Sequence, residues 1–555
     1  MASTTREPPT PPGLGSIERR EFVRVAALAA AAGSIEPFAL SAQSFPASPV
    51  GAPREGGSPI QAQESLPPLG NSEPPAMQFQ AYPGGTGALM EKLWRVGGNP
   101  IERQPIEIDP WEGPVPRDER EIAFLPVHRL AALIRERRIS PTELVEIYLG
   151  RLNRYDPMLL CAVTILEGRG REEAQQAESE IRAGAWRGPL HGIPYGVKDL
   201  FSVRGARTTW GSADFEHRVI DEDAEVVIRL REAGAVLIAK LATGEFARGD
   251  EWYRGMTRNP WNPEEGSSGS SAGPASATAA GCVAFGIGTE TQGSIVSPAR
   301  RCGLSALRPT FGRVSRHGGM VLAWSMDKIG PMCRTVEDCA LVFHAIHGAD
   351  EKDPASLTAP FRFARRPDLS AIRIGYTEDA PESFLGTLRA LGADPQAMPE
   401  LPGGGSNALG VESSAAFDFH VAAGGEPEPL PQGLSDTERR RLGRFRGGRD
   451  VRALDYVQAQ RRRLILMHDM ARAMSGVDMF VSGSGQVGLT NQTGHPAVVV
   501  PYGFGVRDPD GDDEQKPQPL TTTLIGGLFA DDKILSVAHA VQAATSWHHE
   551  HPVLD

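Results

Sequence analysis

Cysteine is sparse in this 555-residue chain, and what there is does not pair. Cys161, Cys282, Cys302, Cys333 and Cys339 form an odd set with no C-x-x-C motif, which excludes a disulfide framework and offers no thiolate metal site. Cys282 stands among Ala and Gly and reads as a small buried residue rather than a nucleophile. Long apolar runs are missing too, since none reaches the roughly 18 residues that a membrane-spanning helix needs. Positive charge is neither abundant nor clustered. The net charge is -12, and the basic runs Arg439–Arg441 and Arg461–Arg463 are short. Nucleic-acid binding is therefore not expected, and both runs read as solvated helix faces. There is no H-E-x-x-H, so the zinc-hydrolase pattern is excluded. What remains is an ordinary globular composition, 40% hydrophobic and 23% charged.

The chain divides into three stretches. In residues 1–42, Arg19-Arg20 is followed by Phe22 and the mildly apolar Val25–Ala32, with small residues around Ala42. This resembles a twin-arginine export signal, so a periplasmic protein is expected, with a cytoplasmic one as the alternative. Residues 43–115 are a Pro/Ser/Gly-rich linker and N-terminal extension, with a short helical patch around Leu89–Trp94. Residues 116–555 read as one large domain. Ser140-Pro141-Thr142-Glu143 predicts a capped helix to about Arg154, and a second helix is expected over Arg171–Ala183. Ala235–Ala239 reads as a buried strand after a helix over Asp223–Ala233. Further on come helices at Val336–His347, Asp455–Ala473 and Lys533–Trp547, and strands at Ile372–Tyr376, Met479–Ser482 and Ala497–Pro501. Asp508–Pro519 reads as an acidic loop. Helix and strand alternate, which predicts an α/β sheet with helical cover.

Several motifs are candidates for chemistry. Gly269–Gly273 matches G-x-S-x-G around Ser271, but that elbow needs a strand before it, and Asn262–Gly266 cannot be a buried strand. Ser325 and Lys328 match S-x-x-K, yet no K-T-G follows. His548, His549 and His551 sit at the expected end of the last helix, where the dipole favours histidine without a metal. Lys198 is more telling. It lies inside the apolar run Pro189–Phe201, and a buried lysine is either paired or functional. Gly266–Pro298 is crowded with serines at both ends, and Thr291-Gln292-Gly293-Ser294 forms a turn whose backbone N–H groups could surround one oxygen. This turn fits neither phosphate-loop spacing.

Taken together, these segments resemble the amidase signature family. The resemblance rests on GIPYGVKDLF (192–201), NPWN (259–262), GSSAGPASATAAG (269–281), GIGTETQGSIVSPA (286–299) and the stretch from Gly303 through SMDKIGPMCRTVEDCA to Ala340, with NQTGHPAVVVPYGF (491–504) beyond them. It runs from about residue 120 to the C-terminus. It implies a single α/β amidase-signature domain, a mixed twisted sheet covered by helices. It also implies a Ser-Ser-Lys triad with Lys198 as base, Ser270 as relay and Ser294 as nucleophile. Ser267, Ser268 and Ser271 compete with Ser270 by eye, but the family's spacing from the nucleophile, and from Asn259, lands on Ser270. The backbone of Thr291, Gln292, Gly293 and Ser294 would hold the oxyanion.

Three residues depart from the family's pattern. Gln292 stands where a glycine is usual, Val296 where the family has arginine, and Glu290 where it has aspartate. A charge pair between positions 290 and 296 is therefore expected to be absent. Strand alternation should turn Asp199 away from Lys198. The implied activity is hydrolysis of a linear carboxamide through an acyl-enzyme, with neither cofactor nor metal. A small-molecule amide is the expected partner, and a homodimer is compatible with the sequence. The alternatives are a transamidase resembling the amide-cleaving component of glutamyl-tRNA amidotransferase or a catalytically weak binding protein on this fold.

Overall fold

Eleven strands make one mixed sheet. They are β1 (Ala162–Ile165), β2 (Pro194–Lys198), β3 (Val236–Leu241), β4 (Phe285–Glu290), β5 (Ser305–Arg308), β6 (Lys328–Cys333), β7 (Ile374–Tyr376), β8 (Gln396–Ala397), β9 (Met479–Ser482), β10 (Ala497–Gly505) and β11 (Gln518–Gly526). Across the sheet they run β1-β3-β2-β4-β6-β5-β10-β11-β9-β7-β8. Two runs are parallel, β3-β2-β4 and β9-β7-β8, and every other neighbour is antiparallel. Strands β2, β3, β5 and β6 bury every residue, as strands covered on both faces do. The computed structural model describes residues 103–404, 408–426, 431–433, 443–506 and 516–554, together with Leu89, Glu91 and Arg95. The export-signal residues, most of residues 43–102, Arg439–Arg441 and most of the acidic loop, 507–515, lie outside the described residues, whereas the end of the extension is described and buries Ile108 in the core.

The main helices are α1 (Pro141–Leu159), α2 (Glu167–Arg182), α3 (Glu225–Glu232), α4 (Ala272–Ala279), α5 (Val296–Cys302), α6 (Val336–Ile346), α7 (Ala453–Ala473), α8 (Val487–Thr493) and α9 (Asp531–Ala543). Helix α1 opens with the capping box expected of it, Ser140 and Glu143 each bonding the other's backbone N–H. It outruns the expected end at Arg154, because Pro157 is accommodated in its last turn, and it stops at Leu160, whose φ is 48°. Helix α4 explains the small-residue run. All eight of its residues are buried, and a Cβ on Gly273 would stand 2.3 Å from both Ala242 N and Cys161 O. Only a helix without bulk fits that close to the ends of β1 and β3.

Asn262–Gly266 is not a buried strand, as expected; it pairs with Arg258–Asn259 in a half-buried two-stranded ribbon. Two expectations are corrected. Gln518 and Pro519 belong to β11, so the acidic loop ends sooner. Arg463 is not on a solvated face. It is buried, donating to Gln492 O at 2.6 Å and to Ser325 O at 2.8 Å. Among the described residues no helix is long and apolar enough to cross a membrane.

Candidate functional site

The C-terminal ends of the parallel strands β2 and β4 converge on one amine. Lys198 closes β2 and is fully buried. Its Nζ lies 2.8 Å from Ser270 Oγ, 2.9 Å from Thr289 Oγ1 and 3.1 Å from Ser271 Oγ. Ser270 follows a cis peptide bond from Gly269. Ser271 is the N-cap residue of α4, and its hydroxyl donates to Thr289 O at 3.0 Å. Burial holds the Lys198 amine well below its ordinary range, against the opposing pull of the Asp327 and Glu290 carboxylates. Asp199 does face away. It pairs with Lys240 at 2.6 Å and accepts from the backbone and hydroxyl of Thr209.

Ser294 sits on the turn between β4 and α5, half-buried. Its carbonyl accepts the Ser271 N–H at 3.1 Å, which ties the turn to the residue after Ser270. The N–H groups of Ile295 and Val296 both go to Glu290 Oε2 at 2.8 Å. By contrast, among the described residues no protein acceptor meets the N–H of Thr291, Gln292, Gly293 or Ser294. The turn therefore presents a run of donors, the arrangement an oxyanion needs. Gln292 is exposed and does not adopt positive φ, whereas Gly293 takes that conformation at +99°. The backbone places its strain on the glycine and leaves Gln292 at no cost. The Thr291 hydroxyl donates to Asp327 at 2.6 Å, which anchors the start of the turn.

No charge pair joins positions 290 and 296, as expected, yet Glu290 is not left unpaired. With valine at 296, Glu290 instead takes Arg308 of β5 at 3.0 Å and Asn491 of α8 at 2.7 Å. The carboxylate is fully buried and held below its usual range, because Arg308, the turn's N–H groups and Asn491 together outweigh the opposing effect of burial. Sequence reasoning also missed Thr289 and set Ser271 aside, yet both hydroxyls meet the lysine. Strand alternation could have flagged Thr289, but only the β2–β4 register, with Val197 opposite Ile287, brings it to Lys198.

The rejected motifs do not assemble. Ser325 donates to Glu412 at 2.6 Å, while the Lys328 amine donates to the Met326 carbonyl, so the S-x-x-K pair is not joined. His548 and His549 lie in a turn beyond α9, and His551 stacks on Phe124 at 4.1 Å. Among the described residues no group of three or more potential metal ligands forms. All five cysteines are free and buried, and burial pushes the Cys282 thiol up to about 12.

The family model described as Amidase matches residues 143–388. The chain is 33% identical over 484 residues to the A component of the glutamyl-tRNA(Gln) amidotransferase of Methylococcus capsulatus, covering 76% of this chain and 97% of that one. It is similar to the native peptide amidase from Stenotrophomonas maltophilia, with a TM-score of 0.66 and 27% identity over 78% of this chain and 98% of that one. It shares a fold with an amidase family protein from Bacillus anthracis, with a TM-score of 0.67 and 24% identity over 79% and 94% of the two chains.

Proposed function

The chain belongs to the amidase family, and on that premise we propose that it hydrolyses a carboxamide through an acyl-enzyme on Ser294. The observation that carries this reading is the Lys198 shell of three hydroxyls beside a turn of unspent N–H donors. A serine hydroxyl is a weak nucleophile and needs a base. A lysine with a pKa of ~10.4 is neutral in only about one molecule in 2,500 at pH 7, so the base must be depressed. Burial does that here.

A neutral amine carries two N–H groups and one lone pair, so one of the three hydroxyls around Nζ donates to it. Ser271 spends its proton on Thr289 O, which leaves Ser270 or Thr289. With Ser270 as donor, the 2.8 Å Ser270–Lys198 contact supplies the second leg of a proton path that would start at Ser294 and pass through Ser270. Ser294 Oγ attacks the carbonyl carbon as its proton moves along that path. The tetrahedral oxyanion is held by the N–H groups of Thr291, Gln292, Gly293 and Ser294. Collapse breaks the C–N bond, Ser270 returns a proton to the leaving amine or ammonia, and water releases the acid by the reverse route.

The test is ammonia release from primary amides by the purified chain, paired with labelling by a fluorophosphonate. Wild type should turn over and label, and Ser294→Ala should do neither. Label retained in Ser294→Ala moves the nucleophile elsewhere. The amidotransferase name carried by the Methylococcus capsulatus relative favours a second reading, one component of a multi-chain transamidase. In that case the isolated chain releases little ammonia until partner proteins and charged tRNA are added.

A further inference from the structure

A cleft of about 750 Å³, its open mouth included, lies against the Lys198 cluster. Two of its lining residues fix its place. Thr289 shares its hydroxyl with Lys198, and Thr291 begins the turn that carries Ser294. Leu200 and Phe201, which follow Lys198 in the chain, contribute to the lining, as do Met320, Val321, Leu322 and Trp324. All of these but Phe201, which joins the main core, continue into a cluster built on Trp210, Phe246, Phe417 and Phe445, in which Phe417 and Phe445 stack at 4.1 Å. The apolar lining is thus backed by packed rings.

Lys352 apart, the charged groups of the lining are engaged elsewhere. Arg316 is bound in a fork to Asp353, at 2.7 and 2.8 Å. The Asp327 carboxylate accepts from the Thr291 hydroxyl and from the N–H groups of Leu322 and Ala323. The Lys328 amine is buried and donates to Met326 O. Lys352 stands exposed. Apart from the exposed Lys352, the cleft therefore has apolar area to bury and no uncommitted charge to hold an ionic head group. The apolar lining suits an organic group.

We propose that the amide cleaved here carries a bulky apolar acyl group, aliphatic or aryl, seated against Leu200, Phe201 and the Met320–Trp324 segment. This rests on the hydrolytic reading of Ser294. The probe is a series of primary amides in which only the acyl group varies: acetamide, butyramide, hexanamide, phenylacetamide and the monoamide of adipic acid. Each added methylene should raise kcat/KM by about fourfold. Phenylacetamide should exceed acetamide, and the adipic monoamide should fall below hexanamide. Val321→Trp, which fills the cleft, should lower the hexanamide-to-acetamide ratio by about tenfold. A flat or falling series, or preference for the adipic monoamide, overturns the inference while leaving amide hydrolysis in place. Calorimetric titration of phenylacetamide separates the two failures. Binding that Val321→Trp abolishes, without turnover of any amide, removes the hydrolytic reading and keeps the cleft assignment. Absence of such binding together with absence of turnover overturns both.

Discussion

Lys198 has no carboxylate within ion-pair distance among the described residues, only hydroxyls, and that choice of neighbours decides its chemistry. Desolvation disfavours the ammonium form, so the amine serves as a base where a solvated lysine could not. The expected pH profile of kcat/KM has an acid limb set by this group, well below the ordinary lysine value of 10.5. Lys198→Ala should lower kcat by about 10²–10⁴-fold. Stability carries the same signature. Below pH 10.5 the unfolded chain takes up a proton that the folded chain refuses, so stability falls as pH falls through that window. Lys240 and Lys328 add to the slope, so the diagnostic is a difference: Lys198→Met should show a shallower change in urea midpoint between pH 7 and pH 10. An unchanged slope would mean that Lys198 is charged in the fold. A buried lysine was legible in the sequence, because its neighbours in the chain are apolar. Ser271 and Thr289 were not, because a hydroxyl's partner depends on which strands lie side by side.

At the scale of elements, one carboxylate organises the turn. Glu290 ends β4, receives the N–H groups of Ile295 and Val296 at the start of α5, and reaches Arg308 on β5 and Asn491 on α8. The valine at 296 thus removes a neighbour in the chain without leaving the acid alone. The cation comes from a strand that the sheet order places two strands away, beyond β6. Arg308→Met would strand a buried charge, and a loss of about 3–5 kcal/mol in urea unfolding is expected. A loss below about 1 kcal/mol would mean that the backbone donors alone hold Glu290. Helix limits were legible where capping chemistry is local, as at Ser140, and misjudged where packing decides, as at the C-terminal end of α1. Arg463 was misread for the same reason. On its own helix it looks like one arginine of a basic run, and only docking against Ser325 and Gln492 buries it.

At the scale of the whole molecule, the mixed sheet brings residues 198, 270–271, 289–294 and 327 to the C-terminal ends of the parallel strands β2 and β4, and the cleft opens beside them. Where the protein works is a separate matter, which the export reading of Arg19-Arg20 addresses. Expressed at full length in a bacterium with a twin-arginine pathway, the chain should be recovered in the periplasmic fraction, and Arg19→Lys/Arg20→Lys should hold it in the cytoplasm. Equal distribution of the two proteins would end that reading.

The sequence by itself determined the local and the linear: which runs are apolar, where α1 is capped, and the order of segments that marks the family. Those features depend on side-chain type and on spacing along one chain, and both are written in the sequence. Only the tertiary structure decided the partners. It set Thr289 and Ser271 against the amine, gave Glu290 its arginine, placed the φ of +99° on Gly293 rather than Gln292, and lined the cleft with Met320–Trp324. Strand register and the packing of distant segments fix those contacts, and neither has a signature in any single stretch of residues.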